Sequence, residues 1–366
     1  MKVLHINSCY IYTWLHQQML EAFADDDFSN TVFSPVQIGA KGVVEVNDNV
    51  VVDQCFKKFD RALFYYKQSK ILKSARNNLD VNEFDLFHAY TLFTDGNIAY
   101  ELHKQTGIPY VVAIRNTDVN TFFKYRPYLK GRALKILKNA SAVFFLSDSY
   151  KKRVLEKHIP KKFRDELDEK SYVIPNGIAD GWLQSEAKPT EYDGGSVNIV
   201  CAGLVDRNKN YLTTLKACEI LQERGIDVTF NAVGRIGDET VHKALMDNPL
   251  AQYHPPKTRD ELIELYKTQT VFVMPSFEES FGLVYAEALS QGLPVVYTKG
   301  EGFDGQFTNG VVGFSVDPNN PNEIADRVED ILKDYARFSA TAVEKSKVFN
   351  WHDITKKYTE IYKKII

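Results

Sequence analysis

Short apolar runs alternate along the first half of the chain with longer stretches in which apolar residues recur at helical spacing. The short runs predict β-strands, and the helical spacing predicts amphipathic helices between them. The predicted strands are Lys2–Asn7, Thr31–Ser34, Asp85–His88, Tyr110–Ile114, Ala142–Leu146 and Tyr172–Ile174. The predicted helices are Trp14–Ala24, Gly96–Thr106 and Gly131–Asn139. Because strands that alternate with helices form parallel sheets with crossover helices, this half predicts an α/β domain.

The same alternation begins again after a polar stretch, Ala179–Ser196, which contains Pro and Gly and shows no periodicity. We interpret this stretch as a linker between two domains. Beyond it the predicted strands are Val197–Cys201, Asp227–Val233, Val271–Met274 and Pro294–Tyr297. The predicted helices are Asn210–Arg224, Arg259–Lys267, Leu283–Ser290 and a helical tail from Asn322 onward. The pattern favours two doubly wound α/β domains, and 366 residues suit that number at about 150 residues per domain.

The composition is that of an ordinary globular protein. Hydrophobic residues make up 44% of the chain and charged residues 25%, which excludes a disordered or fibrous protein. The 4 cysteines are far apart in the sequence, which excludes a disulfide framework and a cysteine zinc site. The chain has no run of about 18 apolar residues and no apolar signal segment, so we expect a cytoplasmic protein.

Charge is distributed unevenly along the chain. The net charge of −3 excludes a polyanion-binding role for the molecule as a whole, and no nucleic-acid partner is expected. Lys57–Arg76, however, has seven basic residues and one acidic residue, and Thr121–Lys170 has fourteen basic and six acidic residues. Both stretches contain aromatic residues, and basic amphipathic helices of this kind can bind anionic membranes. The sequence leaves open whether they bind the inner face of the cell membrane or are solvated faces whose aromatic residues pack inward.

Three consecutive aspartates, Asp25–Asp27, formally match the D-x-D signature of divalent-metal sites. No apolar strand directly precedes them, so we interpret them as a solvated turn.

The segment Met274–Thr298 combines several features of a ligand site at the end of a strand. A helix begins near Gly282, which has no Cβ, so a ligand can approach the free N–H groups of the first turn, where the helix dipole favours an anion. Ser280 is of a residue type favoured as an N-cap. Glu279 precedes the helix and Glu287 lies within it. One carboxylate can therefore contact a ligand at the start of the helix and the other a more distant part of it.

A second strand-end loop lies within Val200–Asn210, where a glycine turn is followed by Arg207 and Lys209. Both loops follow predicted strands of one sheet, so both can lie at its carboxyl edge, where doubly wound sheets bind ligands. A diphosphate at this edge would be neutralised by Arg207, Lys209 and helix N–H groups without a metal ion.

These motifs resemble those of the retaining glycosyltransferases of family 4, which belong to the glycosyl transferases group 1. The matches are Glu279 and Glu287 to the E-x(7)-E motif, Gly203, Lys209 and Asn210 to the G-x(5)-K-N phosphate loop, Pro175–Ile178 to the P-N-G motif followed by Ile or Val, and Val233–Gly234 to the next strand-end glycine. The resemblance covers nearly the whole chain and is strongest over residues 172–315.

The resemblance implies the GT-B fold, in which two Rossmann-like domains face a crevice. Residues 1–180 would form the acceptor-side domain and residues 181–345 the nucleotide-sugar-binding domain, and a C-terminal helix in residues 346–366 would return to the first domain. The implied activity is hexosyl transfer with retention of configuration from a UDP- or GDP-sugar, with UDP favoured, to a hydroxyl of a glycan or lipid-linked acceptor. The implied role is surface polysaccharide biosynthesis, with no cofactor and no metal ion.

The resemblance also implies roles for individual residues. Lys209 and Arg207 would neutralise the donor diphosphate. Glu279 would bind hydroxyls of the transferred sugar, and Glu287 would bind the ribose of the nucleotide. The remaining donor-binding positions are Gly203, Gly234, Ser280, Phe281, Gly282, Leu283 and Val284.

Several positions depart from the family pattern. Leu204 stands where many members have arginine, and we expect Arg207 to replace it. Arg115 stands where a histidine is common. Either the nearby Asp118 is the acceptor-side polar group, or Arg115 contacts phosphate, or Asp118 only caps a turn. His88 is the last residue of a predicted strand and is either a group that binds sugar or polarises the acceptor hydroxyl, or a core histidine. These departures leave an alternative open, in which the protein is a non-catalytic nucleotide-sugar or glycan-binding subunit of the same fold that assists a partner glycosyltransferase.

One further loop, Lys299–Phe307, is rich in glycine and contains Glu301 and Asp304. Either acid can be placed near the donor sugar in this fold. We favour the simpler interpretation, an ordinary glycine-rich turn.

Overall fold

The computed structural model describes residues 1–23, 28–185, 187 and 189–366, and the aspartates Asp25–Asp27 lie outside this set. The strands are β1 (Lys2–Ile6), β2 (Ser29–Gln37), β3 (Val50–Phe56), β4 (Leu86–Ala89), β5 (Tyr110–Ala113), β6 (Ala142–Phe145), β7 (Ser171–Val173), β8 (Val197–Ala202), β9 (Val228–Val233), β10 (Ala251–His254), β11 (Val271–Met274), β12 (Val295–Thr298) and β13 (Gly313–Val316). The helices are α1 (Trp14–Ala22), α2 (Phe64–Asn78), α3 (Asp95–Thr106), α4 (Lys130–Asn139), α5 (Asp148–His158), α6 (Arg164–Glu169), α7 (Asp180–Leu183), α8 (Tyr211–Glu223), α9 (Glu239–Met246), α10 (Arg259–Tyr266), α11 (Leu283–Ser290), α12 (Pro321–Leu332), α13 (Tyr335–Ser346) and α14 (Trp351–Ile365). No helix among the described residues has the length and apolar character needed to cross a membrane.

The chain divides into two compact units, as the sequence predicts. The N-terminal unit comprises Met1–Leu146, Lys151–Pro175 and Trp351–Ile366, and the C-terminal unit comprises Ser147–Tyr150 and Asn176–Asn350. The boundaries predicted after residues 180 and 345 each lie five residues from the observed ones.

The stretch Ala179–Ser196 is not a linker, and that prediction is wrong. The described part of it belongs to the C-terminal unit and begins with α7. Trp182 is buried and stacks on Tyr266 with ring centroids 5.8 Å apart. The Thr190 N–H donates to Ser339 Oγ at 3.0 Å. The polar composition of this stretch therefore gave no sign that it is anchored by ring contacts of Trp182 and Tyr192 and by a few hydrogen bonds.

In the described residues of the N-terminal unit, seven parallel strands form one sheet in the order β3-β2-β1-β4-β5-β6-β7. Strands β4, β5 and β6 are buried along their whole length. Helices on both faces of a parallel sheet exclude water from both, which explains why these strands are continuous apolar runs in the sequence.

Helix α14 packs on the N-terminal unit, as the resemblance implied. Its buried residues Ile354, Tyr358 and Tyr362 join a core cluster that includes Phe23 and Phe144. The Phe144 ring lies 4.8 Å from that of Tyr358 and meets it edge to face. The helix therefore completes the hydrophobic core of a unit whose other elements lie far away in the sequence.

The C-terminal unit has a second parallel sheet, in which the described strands follow the order β10-β9-β8-β11-β12-β13. Its first strand, β8, lies between β9 and β11, so the direction of winding reverses at the boundary between β8 and β11. In doubly wound sheets such a reversal opens a crevice at the carboxyl edge. The two loops singled out in the sequence leave the sheet at this point.

The strands that the sequence did not predict are β3, β10 and β13, and each lies at an edge of its sheet. An edge strand has a neighbour on one side only, so its residues remain partly exposed and its sequence is mixed. The half-exposed Ala251–His254 and the Asp53 and Gln54 of β3 illustrate this.

Candidate functional site

The amino group of Lys209 and the carboxylate of Glu279 meet at the carboxyl edge of the second sheet. Lys209 Nζ donates to Glu279 Oε2 at 2.6 Å, and their side chains are 21% and 12% exposed. The lysine stem passes over Gly203, where an added Cβ would lie 3.5 Å from Lys209 Cε. The pair thus joins the loop after β8 to the loop after β11, and both charges remain accessible to a ligand.

Two asparagines fix the relative positions of these loops. Asn208 Nδ2 donates to Glu278 O, and the Glu278 N–H donates to Asn208 Oδ1, both at 3.0 Å. Asn210 precedes α8 with a left-handed backbone (φ 61°), and its Nδ2 donates to Pro275 O at 3.0 Å. Reciprocal amide–backbone bonds of this kind tie the two loops together, because each partner both donates and accepts. Asn208 was not predicted from the sequence, where no motif marks it.

Gly234 lets the ends of β8 and β9 approach closely. Its φ is 142°, and an added Cβ would lie 1.7 Å from Gly203 O. The Gly203 N–H donates to Val233 O at 2.9 Å. A side chain at Gly234 would therefore push the phosphate loop away from its neighbour, which explains why the chain has glycine there.

Helix α11 begins immediately beside the ion pair. Its N-cap is Gly282, with φ 79°, and the N-cap role expected of Ser280 is wrong because the helix begins two residues later. A Cβ on Gly282 would lie 2.4 Å from the ring of the buried Tyr285, which is held by a 2.5 Å bond from its hydroxyl to Met274 O. The N–H groups of Leu283 and Val284 lie in the first turn, where amides have no partner within the helix.

Phe281, predicted to bind the donor, has a buried side chain. Its ring lies 6.3 Å from Phe303 and 5.7 Å from Phe349. Only the backbone of Phe281 is therefore suited to a ligand contact.

Glu287 projects from α11 and is half-buried. This burial raises the pKa of Glu287 to about 7. A carboxyl group of this kind is close to its titration point at neutral pH, and a hydroxyl-bearing ligand can supply the hydrogen bonds that its ionised form lacks.

Glu301 supports the ion pair from the loop after β12. Its Oε2 accepts the backbone N–H of Glu279 at 2.9 Å. At Gly302 an added Cβ would lie 2.2 Å from the backbone of Ser280, so the two loops are in close contact. The glycine-rich loop is more than an ordinary turn, since it positions the residue that carries the carboxylate.

Arg207 lies on the same loop as Lys209 and is much more exposed. Its side chain is 76% accessible, and its Nε donates to Asp238 Oδ2 at 3.0 Å. Asp238 is the N-cap of α9 and accepts the N–H of Thr240 at 2.8 Å. An exposed, singly bonded guanidinium can turn toward an anionic ligand at small energetic cost.

His88 and Asp118 lie in the N-terminal unit, in surroundings that favour the structural alternative for each. His88 is fully buried, its Nδ1 lies 2.6 Å from Tyr362 Oη, and burial lowers its pKa well below the usual range. Asp118 is also fully buried, and burial raises its pKa to about 6. Its carboxylate accepts N–H groups from Leu92, Phe93 and Arg115 at 2.9–3.1 Å. Neither side chain is accessible to a substrate in this structure.

The second half of the chain matches a known protein family. Residues 185–347 match the family model described as glycosyl transferases group 1. These residues form a glycosyl transferases group 1 domain. The ion pair, the two glycine contacts and the start of α11 all lie within this domain.

Curated relatives support the assignment over part of their length. A D-inositol 3-phosphate glycosyltransferase of Paenarthrobacter aurescens is 32% identical over 185 residues, which are 47% of this chain and 45% of that protein. The chain therefore spans less than half the length of this relative. An uncharacterized glycosyltransferase of Methanocaldococcus jannaschii is 23% identical over 87% of this chain and 86% of its own length.

Solved structures share the fold over the whole chain. Sucrose-phosphate synthase of Thermosynechococcus elongatus gives a TM-score of 0.76 at 18% identity and covers 100% of this chain and 98% of its own. The apo form of the lipopolysaccharide outer core galactosyltransferase WaaB gives 0.78 at 12% identity, with 100% of both chains covered. HepE of Anabaena in complex with UDP gives 0.70 at 17% identity, with 98% and 99% covered. The chain accordingly has the GT-B fold, with two parallel-sheet α/β domains.

Proposed function

We propose that this protein is a glycosyltransferase that moves a monosaccharide from a nucleotide-diphosphate sugar to a hydroxyl of a glycan or glycolipid, with retention of configuration. The glycosyl transferases group 1 domain supports the class of reaction. A UDP-sugar is the favoured donor, because HepE, which shares the fold, was solved with UDP and with UDP-glucose. Galactosyl transfer to lipopolysaccharide by WaaB supports a role in surface polysaccharide synthesis.

The Lys209–Glu279 pair carries the proposal. A lysine ammonium has three N–H donors, and Glu279 accepts one of them at 2.6 Å. The other donors are available to a diphosphate that approaches the amino end of α11, where the N–H groups of Leu283 and Val284 favour an anion. Glu279 then lies beside the diphosphate and can accept hydrogen bonds from hydroxyl groups of the attached sugar.

In the proposed reaction, the oxygen of the acceptor hydroxyl bonds to the anomeric carbon on the face from which the diphosphate departs. The bond from the anomeric carbon to the phosphate oxygen breaks, and the departing phosphate takes the hydroxyl proton. The negative charge that grows on the leaving group is stabilised by Lys209, by the N–H groups of α11 and by Arg207 once it leaves Asp238. Positioning and charge stabilisation thus account for catalysis without a bound metal ion.

Glu287 is proposed to bind the nucleotide ribose. Two ribose hydroxyls would donate to its carboxylate, and these bonds would stabilise the ionised form of a group whose pKa burial raises to about 7.

The experiment compares Lys209→Ala with Lys216→Ala, a control in which the removed lysine is exposed on α8. Loss of a charge-assisted bond costs about 1.5–3 kcal/mol, so Lys209→Ala should weaken UDP binding about 10- to 100-fold in calorimetry. Lys216→Ala should bind UDP as the wild type does. Equal affinity of all three proteins would remove Lys209 from the site.

Turnover is tested with labelled UDP-, GDP- and ADP-sugars and candidate acceptors, with and without EDTA. We expect release of nucleotide diphosphate with one donor class and nearly the same rate in EDTA. Donor binding without release, for every donor and acceptor, would instead indicate a non-catalytic subunit of the same fold.

A further inference from the structure

An exposed surface with aromatic and basic side chains lies on the N-terminal unit. It consists of two segments, Lys57–Tyr66 and Lys124–Lys130, which we call the aromatic-basic patch. None of its residues belongs to the candidate site in the C-terminal unit.

The two segments of the patch touch each other although about 60 residues separate them in the sequence. Arg126 Nη2 donates to Arg61 O at 2.7 Å. Just before the second segment, Phe122 meets Phe64 edge to face, with ring centroids 6.1 Å apart. The two basic stretches seen in the sequence therefore form one surface where these segments meet.

Large apolar side chains of the patch are unusually exposed. Phe59 is 88% accessible, Tyr125 68%, Leu63 63% and Tyr128 62%. Among the described residues of the C-terminal unit, the most exposed aromatic residue is Phe277, at 42%. A concentration of exposed apolar side chains on one face indicates an interaction surface, because each costs free energy in water.

The outward charge of the patch is positive. Its basic residues Lys57, Lys58, Arg61, Lys124 and Lys130 are exposed. The acidic residue of the two segments, Asp60, is buried and faces the protein, where it accepts Lys70 Nζ and the Lys57 N–H, each at 2.7 Å. A partner that approaches this surface meets cations and aromatic rings, but no exposed carboxylate from these two segments.

We propose that the aromatic-basic patch binds the surface of an anionic lipid bilayer. The basic side chains would contact the headgroups, while Phe59 and Leu63 insert among the upper acyl chains and the tyrosines remain at the interface. A bilayer satisfies both features at once, whereas a soluble polyanion offers nothing to a phenylalanine that is 88% exposed. The proposal concerns the N-terminal unit alone and does not depend on the identity of the donor.

The patch includes only part of the basic stretches. Lys161 and Lys162 belong to the second stretch, but they lie next to Phe163, whose ring is 4.4 Å from Lys138 Nζ near the end of α4. Lys130 is at the opposite end of this ten-residue helix, about 12 Å away at 1.5 Å per residue. A double charge reversal at Lys161 and Lys162 therefore gives a matched control outside the patch.

The experiment measures sedimentation of the full chain with vesicles of phosphatidylcholine alone or with about a third of phosphatidylglycerol. Two patch variants are compared with wild type, Lys58→Glu with Arg61→Glu, and Phe59→Ser with Tyr125→Ser. The controls are Lys161→Glu with Lys162→Glu, which changes the charge equally, and Met246→Ser, which removes an apolar residue that is 61% exposed in the C-terminal unit. UDP affinity and circular dichroism establish that each variant is folded.

We expect the wild type to bind the anionic vesicles and each patch variant to bind them at least tenfold more weakly. The charge reversals remove two cations that attract anionic headgroups, and the serine variants remove two rings that would be buried at the bilayer interface. The controls should stay within about twofold of wild type. Binding should weaken as salt rises from about 0.1 to 1 M, because the Debye length shortens from about 10 to 3 Å. Absent wild-type binding, equal binding to both vesicle types, or patch variants that bind as wild type would each overturn the proposal.

A second readout tests insertion. In Phe59→Trp the emission of the added indole should shift to the blue with anionic vesicles. It should not shift with a soluble polyanion such as heparin. An equal shift with heparin, or no shift with vesicles, would overturn bilayer insertion. If the wild type does not bind UDP, the proposed function is contradicted, but the result with vesicles still stands.

Discussion

At the scale of single residues, the candidate site depends on charges that lie far apart in the sequence and share one edge of a sheet. Lys209 and Glu279 are 70 positions apart and form a 2.6 Å ion pair. The motifs identify both residues as ligand-binding candidates. Their mutual contact could not be predicted, because it depends on the loop register set by Asn208 and Asn210.

A single and a double variant test the energetic role of this pair. Lys209→Ala leaves a mostly buried carboxylate without its cation, and we expect the free energy of unfolding to fall by about 2 kcal/mol. Lys209→Ala combined with Glu279→Gln should recover most of this loss, although neither protein should bind UDP well. Urea unfolding with Lys216→Ala as the control provides the measurement. A Lys209→Ala protein as stable as wild type would show that the pair is energetically neutral.

The pH dependence of stability tests Glu287. Burial raises its folded-state pKa to about 7 from an ordinary 4.5. As pH rises from 4.5 to 7, the unfolded chain loses this proton before the folded protein does, so folding becomes less favourable. Glu287→Gln does not titrate, and it should gain about 3 kcal/mol relative to wild type across this range, with a plateau above pH 7. A difference in free energy of unfolding that stays constant from pH 4 to 8 would contradict the shift.

At the scale of elements, glycines determine how closely the loops approach each other. Gly282 and Gly225 share a left-handed backbone, with φ of 79° and 85°. They differ in surroundings, because a Cβ would strike the Tyr285 ring at Gly282 and meet nothing within 4 Å at Gly225.

This contrast gives a matched pair of variants. Gly225→Ala should cost about 1 kcal/mol of stability from backbone strain alone. Gly282→Ala should cost roughly a further 1–3 kcal/mol, because the added methyl overpacks the contact with Tyr285. It should also weaken UDP binding, because the start of α11 shifts. Thermal unfolding and calorimetry measure the two effects. Equal losses in both variants would mean that the Tyr285 contact relaxes freely.

At the scale of the whole molecule, helix α14 connects the end of the chain to its first sheet. The bond between Tyr362 Oη and His88 Nδ1 joins residues 274 positions apart in the buried core. The sequence presented His88 as a catalytic candidate because it lies at the end of a predicted strand. Its position beneath α14 became apparent only in the folded structure.

Tyr362→Phe removes this bond and retains the ring. His88 is fully buried, so an unpaired nitrogen should cost about 1–3 kcal/mol, with faster hydrogen exchange in β4. Tyr65→Phe, at an exposed tyrosine, should change neither quantity. Unchanged exchange in β4 after Tyr362→Phe would show that packing alone holds the helix.

The sequence by itself determined the alternation of buried parallel strands and helices, the division into two units and the loops that contain the charged candidates. These features follow from local periodicity and from residue types whose chemistry does not depend on distant neighbours. The edge strands β3, β10 and β13, the burial of His88 and Asp118, and the union of two basic segments into one surface were decided by tertiary structure. Each of these depends on contacts between residues that are remote in the chain, and a local sequence pattern does not predict such contacts.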